Sequence, residues 1–478
     1  VERRLSACDA EAVGAWYESA LGATRGSLGA FYTPADLVER VLDAAIGPQP
    51  GPVRVCDPAC GSGRFLAAAA RRMARSGVPL REAACRVTGV DVDACAAAIS
   101  RAALRELGLG APEARRAVLH ADALVDPRVT RALAGRFDAV VGNPPFIDSE
   151  RSSRERPGYR RALRGLYASA RGNFDLSTLF VEAGLRLVRE GGVVALITPR
   201  KIVSSDGAAA LQRLALKHRI VGYLDLGGSW FDAGVETGVL VLERTSASAP
   251  DDTPVPLWRI EGEGMAACGE TTMGMLRRMP AGYLRGAWER DGADLAAAVG
   301  RGVTIGDLAE ASDGSTTAEA YQLATMLREC EGDLPGAGVA RVVNTGLIDP
   351  GRVLWGERPM RFLGRTYRRP VVDLAALARC QPRRARQAMS WKVGVAGLSS
   401  RVEAAVCPPG VLCAKSVVVL IPREGVSPAG LEELLNQDAT TRLYRSMFGG
   451  RGFTARSMSI GARQVERLPV VPRVAVAG

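Results

Sequence analysis

Asn143-Pro144-Pro145-Phe146 closes an apolar run, Phe137 to Gly142, well downstream of a glycine-rich turn, Asp57-Pro58-Ala59-Cys60-Gly61-Ser62-Gly63. The four residues suit one kind of chemistry, alkylation of a planar and weakly nucleophilic amino group. Such an amine has its lone pair delocalised into a ring and must be drawn toward tetrahedral geometry before it attacks. The Asn143 side-chain oxygen and the Pro144 carbonyl each accept one N–H, stabilising that geometry as charge develops, so no strong base is required. Pro145 keeps Pro144 extended and so fixes the direction of its carbonyl. Phe146 offers a ring face to a base swung out of a duplex. The bland alternative, a type I turn at a strand end, is common for Asn-Pro. The position after a glycine loop and at the end of an apolar strand outweighs it.

The glycine turn supplies the second half of such a reaction. Glycine at 61 and 63 lets backbone approach a ligand closely, and the helix that follows offers free amide donors. Asp91 ends the next strand-like run, where a carboxylate accepts both hydroxyls of a ribose. Asp122, in His120-Ala121-Asp122-Ala123, is placed to accept a hydrogen bond from the exocyclic amine of an adenine. Together Asp57, Gly61, Gly63, Asp91 and Asp122 describe a pocket for an adenosine-type cofactor. The Gly-Lys-Ser/Thr of a P-loop is missing, which argues against a nucleoside triphosphate.

These residues need a scaffold that brings strand ends together. From about Phe31 to Arg244, strand-like runs alternate with helical stretches, the pattern of a parallel sheet wrapped by helices. Thr33-Pro34-Ala35-Asp36 reads as a helix start, with Thr33 as N-cap, and Leu37, Val38, Val41, Leu42 and Ala45 as the buried face. Strands are expected at Val53 to Cys56, Val87 to Val90, Ala117 to His120, Asp138 to Val141, Val193 to Thr198, Ile220 to Leu226 and Gly238 to Leu242. Asp93 is expected to cap a helix from Ala94, and Gly191-Gly192 to form a turn between a helix from Leu176 and the fifth strand. Thr245 to Pro254 is polar and contains proline, and is expected to be a linker over 246–254. The domain reading is therefore 1–245 for cofactor binding and catalysis, and 255–478 for a second, mixed α/β domain.

With these residues in place, the chain resembles a class I S-adenosylmethionine-dependent methyltransferase, and within that class the TaqI-like, gamma-arranged adenine-N6 DNA methyltransferases. Phe31-Tyr32-Thr33-Pro34 resembles the N-terminal cofactor motif of the family, Asp57 to Phe65 its glycine loop and Asn143 to Phe146 its catalytic segment. The resemblance implies a Rossmann-like, mostly parallel seven-stranded sheet with a C-terminal target-recognition domain. It implies a cofactor set of Phe31, Thr33, Asp57, Ala59, Gly61, Gly63, Asp91, Asp122 and Ala123, with Thr33 near the methionine carboxylate. It also implies Asn143, Pro144 and Phe146 as catalytic residues, with Pro145 and Phe231 against the target base. Asp175 resembles a recurrent family position, although helix capping explains it equally well. Val342 to Ile348, the arginine-rich stretch Arg358 to Arg386, Lys415-Ser416 and Gly449 to Phe453 resemble the specificity domain.

Composition bounds the rest. The chain has 478 residues, of which 47% are hydrophobic and 24% charged, which places it among folded proteins of two or more domains. A net charge of +11 makes a polyanion partner plausible, and double-stranded DNA is the partner that the resemblance implies. No apolar run reaches the roughly 18 residues that span a bilayer, and Val1-Glu2-Arg3-Arg4 lacks the features of a signal peptide, so a cytoplasmic protein is expected. Of ten cysteines, Cys85, Cys95 and Cys413 lie in apolar segments and are expected to pack as small hydrophobes, and no spacing completes a metal site. His120 and His218 are expected to be structural. No segment resembles a nuclease, so a restriction endonuclease or defence partner is expected to be a separate protein. Two other readings stand beside DNA adenine methylation. One keeps the tetrad but acts on another planar nitrogen, such as a protein glutamine, an RNA guanine or a small molecule. The other is a DNA-binding subunit that does not turn over.

Overall fold

A computed structural model describes residues 33–147, 158–172, 174–226, 230, 236–261, 264–279, 284–288, 302–332, 336–448 and 458–470. Phe31, Phe231, the arginines at 151, 154 and 156, and Gly449 to Phe453 lie outside the described residues. The chain divides into two compact units, Val1–Trp288 and Glu289–Gly478.

Unit 1 is built on one nine-stranded sheet: β1 (Val55–Asp57), β2 (Val87–Asp91), β3 (Val118–His120), β4 (Phe137–Gly142), β5 (Val188–Pro199), β6 (Arg219–Asp225), β7 (Thr237–Glu243), β8 (Pro254–Glu261) and β9 (Gly264–Thr272). The order across it is β3-β2-β1-β4-β5-β7-β6-β8-β9. Strands β1 to β5 run parallel, whereas β7 is antiparallel to both β5 and β6. The first seven strands in this order make the mostly parallel, seven-stranded class I methyltransferase sheet that the resemblance implies. The apolar run Ala139 to Val141 of β4 is explained by burial of a parallel sheet on both faces; all three residues are fully buried.

The helix Ala35–Ile46 buries Leu37, Val38, Val41, Leu42 and Ala45, the face expected from their spacing. Its cap differs from expectation. Pro34 occupies the N-cap position and its carbonyl receives the Leu37 and Val38 N–H groups at 3.1 Å, while no side chain caps the helix. The Thr33 hydroxyl is thereby released for another use. Asp93 does cap the helix Ala94–Glu106, accepting the N–H groups of Cys95 and Ala96.

The chain leaves β1 to form β2 and β3 on one side, then returns to place β4 on the other side of β1. Reversal of strand order opens a crevice at the carboxyl ends of neighbouring strands, the usual ligand position in such sheets. Asp57 and Asn143 sit at the two lips of this crevice, one ending β1 and the other following β4. Gly142 makes the approach possible. Its φ of +147° is unfavourable for an L side chain, and an added Cβ would overlap Asp57 Oδ1 and lie 2.9 Å from Asp57 Cγ.

Two expectations change. Gly191 and Gly192 do not form a turn outside the sheet. They lie inside β5, where pairing with β4 skips from Phe137–Val188 to Ala139–Val193, and a Cβ at 192 would come within 3.0 Å of the Phe137 carbonyl. Residues 246–254 do not separate the two units. They lead into β8 and β9, which extend the sheet beside β6, so the boundary moves from 245 and 255 to Trp288 and Glu289. Polar, proline-containing composition marks an exposed loop, and a loop of that kind serves equally well between two strands of one sheet.

Unit 2 holds two four-stranded sheets. One has the order Ala309–Asp313, Val417–Pro422, Lys392–Ala396, Ala404–Cys407; the other Arg328–Glu329, Pro370–Asp373, Val339–Val343, Val411–Cys413. They share a core that includes Val342, Val372, Val411 and Val419. Residues 428–448 form two helices, Pro428–Leu435 and Asp438–Phe448. Among the described residues no helix is long and apolar enough to cross a membrane.

Replacing Gly142 by alanine is expected to lower the stability of unit 1 by about 2–4 kcal/mol, because backbone strain and overlap with a buried carboxyl add together. Urea unfolding of the full chain, followed by the fluorescence of its first transition, measures this; an unchanged midpoint would contradict the close approach.

Candidate active site

Asn143 is the first residue after β4, and its side chain is fixed by one contact: Nδ2 donates to Thr33 Oγ1 at 3.1 Å. Thr33 is itself buried, with 6% of its surface exposed. This leaves the other end of the amide, Oδ1, buried and without a hydrogen-bond partner among the described residues. A buried carbonyl-type oxygen without a donor costs about 1–3 kcal/mol. It is the kind of acceptor that a ligand N–H would satisfy. Pro144 is buried, and Phe146 is half-buried and packs against the core of unit 1. The main chain then continues to Ile147, whose carbonyl accepts the Leu176 N–H at 2.8 Å and ties the tetrad to the helix Leu176–Leu187. Asp175 caps that helix, accepting from Ser177 N at 3.0 Å and Ser177 Oγ at 2.7 Å, and pairs with Lys201 at 2.8 Å.

The glycine loop is organised by the two strand-end carboxyls. Asp57 Oδ1 accepts the Ala59 N–H at 3.0 Å, and the Cys60 N–H reaches the Val90 carbonyl at 2.9 Å. Asp91 Oδ2 accepts the Gly61 N–H at 2.8 Å and Oδ1 the Asp93 N–H at 2.8 Å. An ionised carboxylate has about four acceptor positions. Two neutral backbone donors therefore leave Asp91 acceptor capacity for hydroxyl groups. Gly61 has φ +52°, and an added Cβ there would meet nothing within 4 Å, so the loop faces open space. Gly63 has φ +89° for the opposite reason: a Cβ would lie 2.6 Å from Ser100 Oγ, and its absence lets the loop close on the helix Ala94–Glu106. Both features suit a loop that cradles a ligand and is rigid behind it.

Burial governs the electrostatics. Asp57 is 1% exposed, and loss of solvent pushes its carboxyl up to about 8, against the opposing pull of the Ala59 N–H. Burial also raises Asp91, partly offset by the N–H groups of Asp93 and Gly61. The buried thiols of Cys56 and Cys60 are pushed up for the same reason, which makes them packing groups rather than nucleophiles.

The structure thus brings Thr33, Asp57, Ala59, Gly61, Gly63, Asp91, Asn143, Pro144, Pro145 and Phe146 to one edge of the sheet. Asp122 and the buried Ala123 follow β3 on the same edge, and Asp122 carries contacts from Leu124 N at 3.0 Å and Tyr159 Oη at 2.9 Å. Phe31 and Phe231 lie outside the described residues. Trp230, beside the latter, packs on the core and donates from Nε1 to the Leu226 carbonyl at 2.9 Å. Three participants were missed from sequence: Gly142, Tyr159 and Ser100. A glycine directly before the tetrad was a usable signal for Gly142; nothing local marked the other two. Of the cysteines expected to be packed, Cys413 is buried whereas Cys85 and Cys95 are exposed, because each lies on the outer face of its helix.

Comparison with known proteins bears on this site directly. Residues 112–230, which include the tetrad, match the family described as Eco57I restriction-modification methylase. The type II methyltransferase M.TthHB8I of Thermus thermophilus is 30% identical over 193 residues, covering 39% of this chain and 38% of that protein. The type II methyltransferase M.VspI of a Vibrio species is 24% identical over 241 residues, covering 49% and 52%. The chain spans about half the length, or less, of these relatives. Among solved structures, the type IIL restriction-modification enzyme MmeI in complex with DNA aligns over 91% of this chain and 64% of its own, with a TM-score of 0.52 and 15% identity, a likeness of fold. S-adenosylmethionine is the cofactor of the class I methyltransferase fold that this sheet has.

The raised carboxyl of Asp57 gives unit 1 a pH signature. Asp57 stays protonated in the folded state up to about pH 8 but ionises near pH 4 when unfolded. The folded state therefore binds the extra proton between these values, and stability falls as pH rises from about 4 to about 8. Asp57→Asn keeps the shape and removes the titration. Its first calorimetric transition is expected to match wild type near pH 4 and to lie above it by several degrees at pH 8; parallel curves would refute the shift.

Proposed function

We propose that the chain is an adenine-N6 DNA methyltransferase of restriction-modification or defence type, acting on duplex DNA with the target adenine flipped out of the helix. One observation carries the reading: Oδ1 of Asn143, buried and without a donor among the described residues, at the carboxyl edge of a methyltransferase sheet. The Thr33 hydroxyl holds the amide so that Oδ1, and not Nδ2, faces the substrate amine. Oδ1 and the Pro144 carbonyl each accept one N–H of the amine, and Phe146 stacks on the flipped base. The N6 lone pair forms the new N–CH3 bond as the S–CH3 bond breaks and leaves a neutral thioether; the cationic N6 so formed is strongly acidic and loses its proton without a base stronger than these acceptors.

The cofactor supplies an electrophilic methyl group on a sulfonium. For its part, the protein binds the methionine end with Asp57, Ala59 and the loop through Gly63, the ribose with Asp91, and the adenine with Asp122 and Ala123. The neutral Asp57 carboxyl ionises when an ammonium group arrives, which converts a buried acid into its counter-ion.

Unit 2 is the target-recognition part in this reading. Arg358, Arg361, Arg365, Arg368, Arg379, Arg383 and Arg386 are exposed, as phosphate-binding side chains must be. Arg384 is the exception: it is buried, pairs with Glu319 at 2.8 Å and serves the fold.

Tritiated methyl transfer from S-adenosylmethionine to duplex DNA, RNA and protein, followed by nucleoside analysis, tests the substrate. N6-methyladenine in DNA is expected; label only in RNA or protein would replace this reading with methylation of another planar nitrogen, and cofactor binding without transfer would favour a DNA-binding subunit. Asn143→Ala is expected to cut transfer by about 10²-fold or more while cofactor affinity stays nearly unchanged. Retained activity would refute the acceptor role.

A further inference from the structure

The helix Tyr159–Leu166 starts from Gly158 in a left-handed conformation, φ 84°, and sets its first side chain against the turn after β3. Tyr159 Oη donates to Asp122 Oδ2 at 2.9 Å and lies 3.1 Å from Oδ1, which also accepts the Leu124 N–H at 3.0 Å. The far end of the same helix is fastened to the same turn. Tyr167 is buried and its hydroxyl donates to the Leu124 carbonyl at 2.8 Å, while the Arg186 guanidinium covers its ring at 4.6 Å. Beyond it, the buried Glu182 accepts the N–H groups of Ala168 at 3.0 Å and Ser169 at 2.8 Å. A single turn, Asp122 to Leu124, thus receives two tyrosine hydroxyls from the two ends of one helix.

We propose that Tyr159 is a positioning residue for the nucleobase of the cofactor: it fixes the Asp122 carboxylate so that the site accepts a purine with a 6-amino group and rejects one with a 6-carbonyl. The inference rests on the assignment of this edge as the S-adenosylmethionine site. An ionised carboxylate only accepts hydrogen bonds, so it attracts an amine and repels a carbonyl oxygen. Discrimination of that kind requires both charge and direction. An arginine or lysine at 159 would orient the carboxylate but neutralise it. A phenol orients it as a neutral donor and leaves the charge in place. The Leu124 N–H anchors Oδ1, and the phenol adds the contact to Oδ2 that sets the plane of the carboxylate.

Tyr159→Phe in the full chain keeps the ring and removes only the donor. Calorimetric titration with S-adenosylhomocysteine and with S-inosylhomocysteine, which carries a carbonyl in place of the amine, reads the effect. The wild-type protein is expected to prefer S-adenosylhomocysteine. The variant is expected to bind it about tenfold more weakly, to bind S-inosylhomocysteine no worse than wild type does, and to melt within a degree or two of wild type without ligand. Equal losses for both ligands, as from general damage to the helix, would overturn the proposal. Wild-type protein that binds neither ligand would overturn the cofactor assignment and this inference with it. Wild-type preference that survives unaltered in the variant would overturn the inference alone.

Discussion

The site depends on the missing side chain at Gly142. Strands β1 and β4 are hydrogen-bonded neighbours, so whatever ends them is forced to within one strand spacing, about 5 Å. With any Cβ at 142 the Asp57 carboxyl could not stay where it is, 1% exposed beneath the returning chain. Asp57 in turn holds the Ala59 N–H, and the loop that begins there reaches Asp91 through Gly61. The same glycine starts the tetrad on the other side. The glycine loop and the Asn-Pro-Pro-Phe segment are therefore two ends of a single steric arrangement, and a disturbance at Gly142 reaches both.

A second connection ties the first helix to the chemistry. Thr33 reads in the sequence as a helix cap, and the structure shows why it is not one. Pro34 supplies the cap by its carbonyl, because a proline at this position has no N–H to satisfy and its fixed φ already suits the helix start. The threonine hydroxyl is left to hold Asn143. Local preference favoured capping, and a tertiary contact 110 residues away took the group instead.

Much of this was legible before the fold was known, for reasons that are physical. Strands such as β4 are largely buried on both faces and give apolar runs, and the residues at or just after their carboxyl ends are the conspicuous Asp57, Asp91 and Asn143. Helices with a buried stripe, such as Ala35–Ile46, show their period directly. What was hidden are contacts with no local signature. The Tyr159 ring has no reason in its own neighbourhood to seek Asp122, 37 positions earlier in the chain. The domain boundary failed because a polar loop looks alike whether it joins two units or two strands. The added pair β8 and β9 shows which it was: β8 runs parallel to β6 and pairs Tyr223 with Leu257, completing a sheet edge that β6 would otherwise expose.

The far side of the crevice is held by charge rather than by close packing. Arg200, directly after β5, donates to Asp225 at the end of β6 at 2.7 Å and to Glu236 just before β7 at 2.8 Å, and its own N–H reaches the Glu236 carbonyl at 2.8 Å. Arg285 takes the other oxygen of Asp225 at 2.9 Å. Asp225 is 1% exposed, and a buried carboxylate without cations would cost several kcal/mol. Two guanidinium groups meet that cost and in doing so fix the ends of three strands, β5, β6 and β7, relative to one another. Removing one partner of such a cluster is worse than never having built it, since the remaining charges stay buried. The antiparallel β7 lies between β5 and β6 and pairs with both. Arg200 binds the start of β7 and the end of β6 at the edge of the sheet that also carries the tetrad.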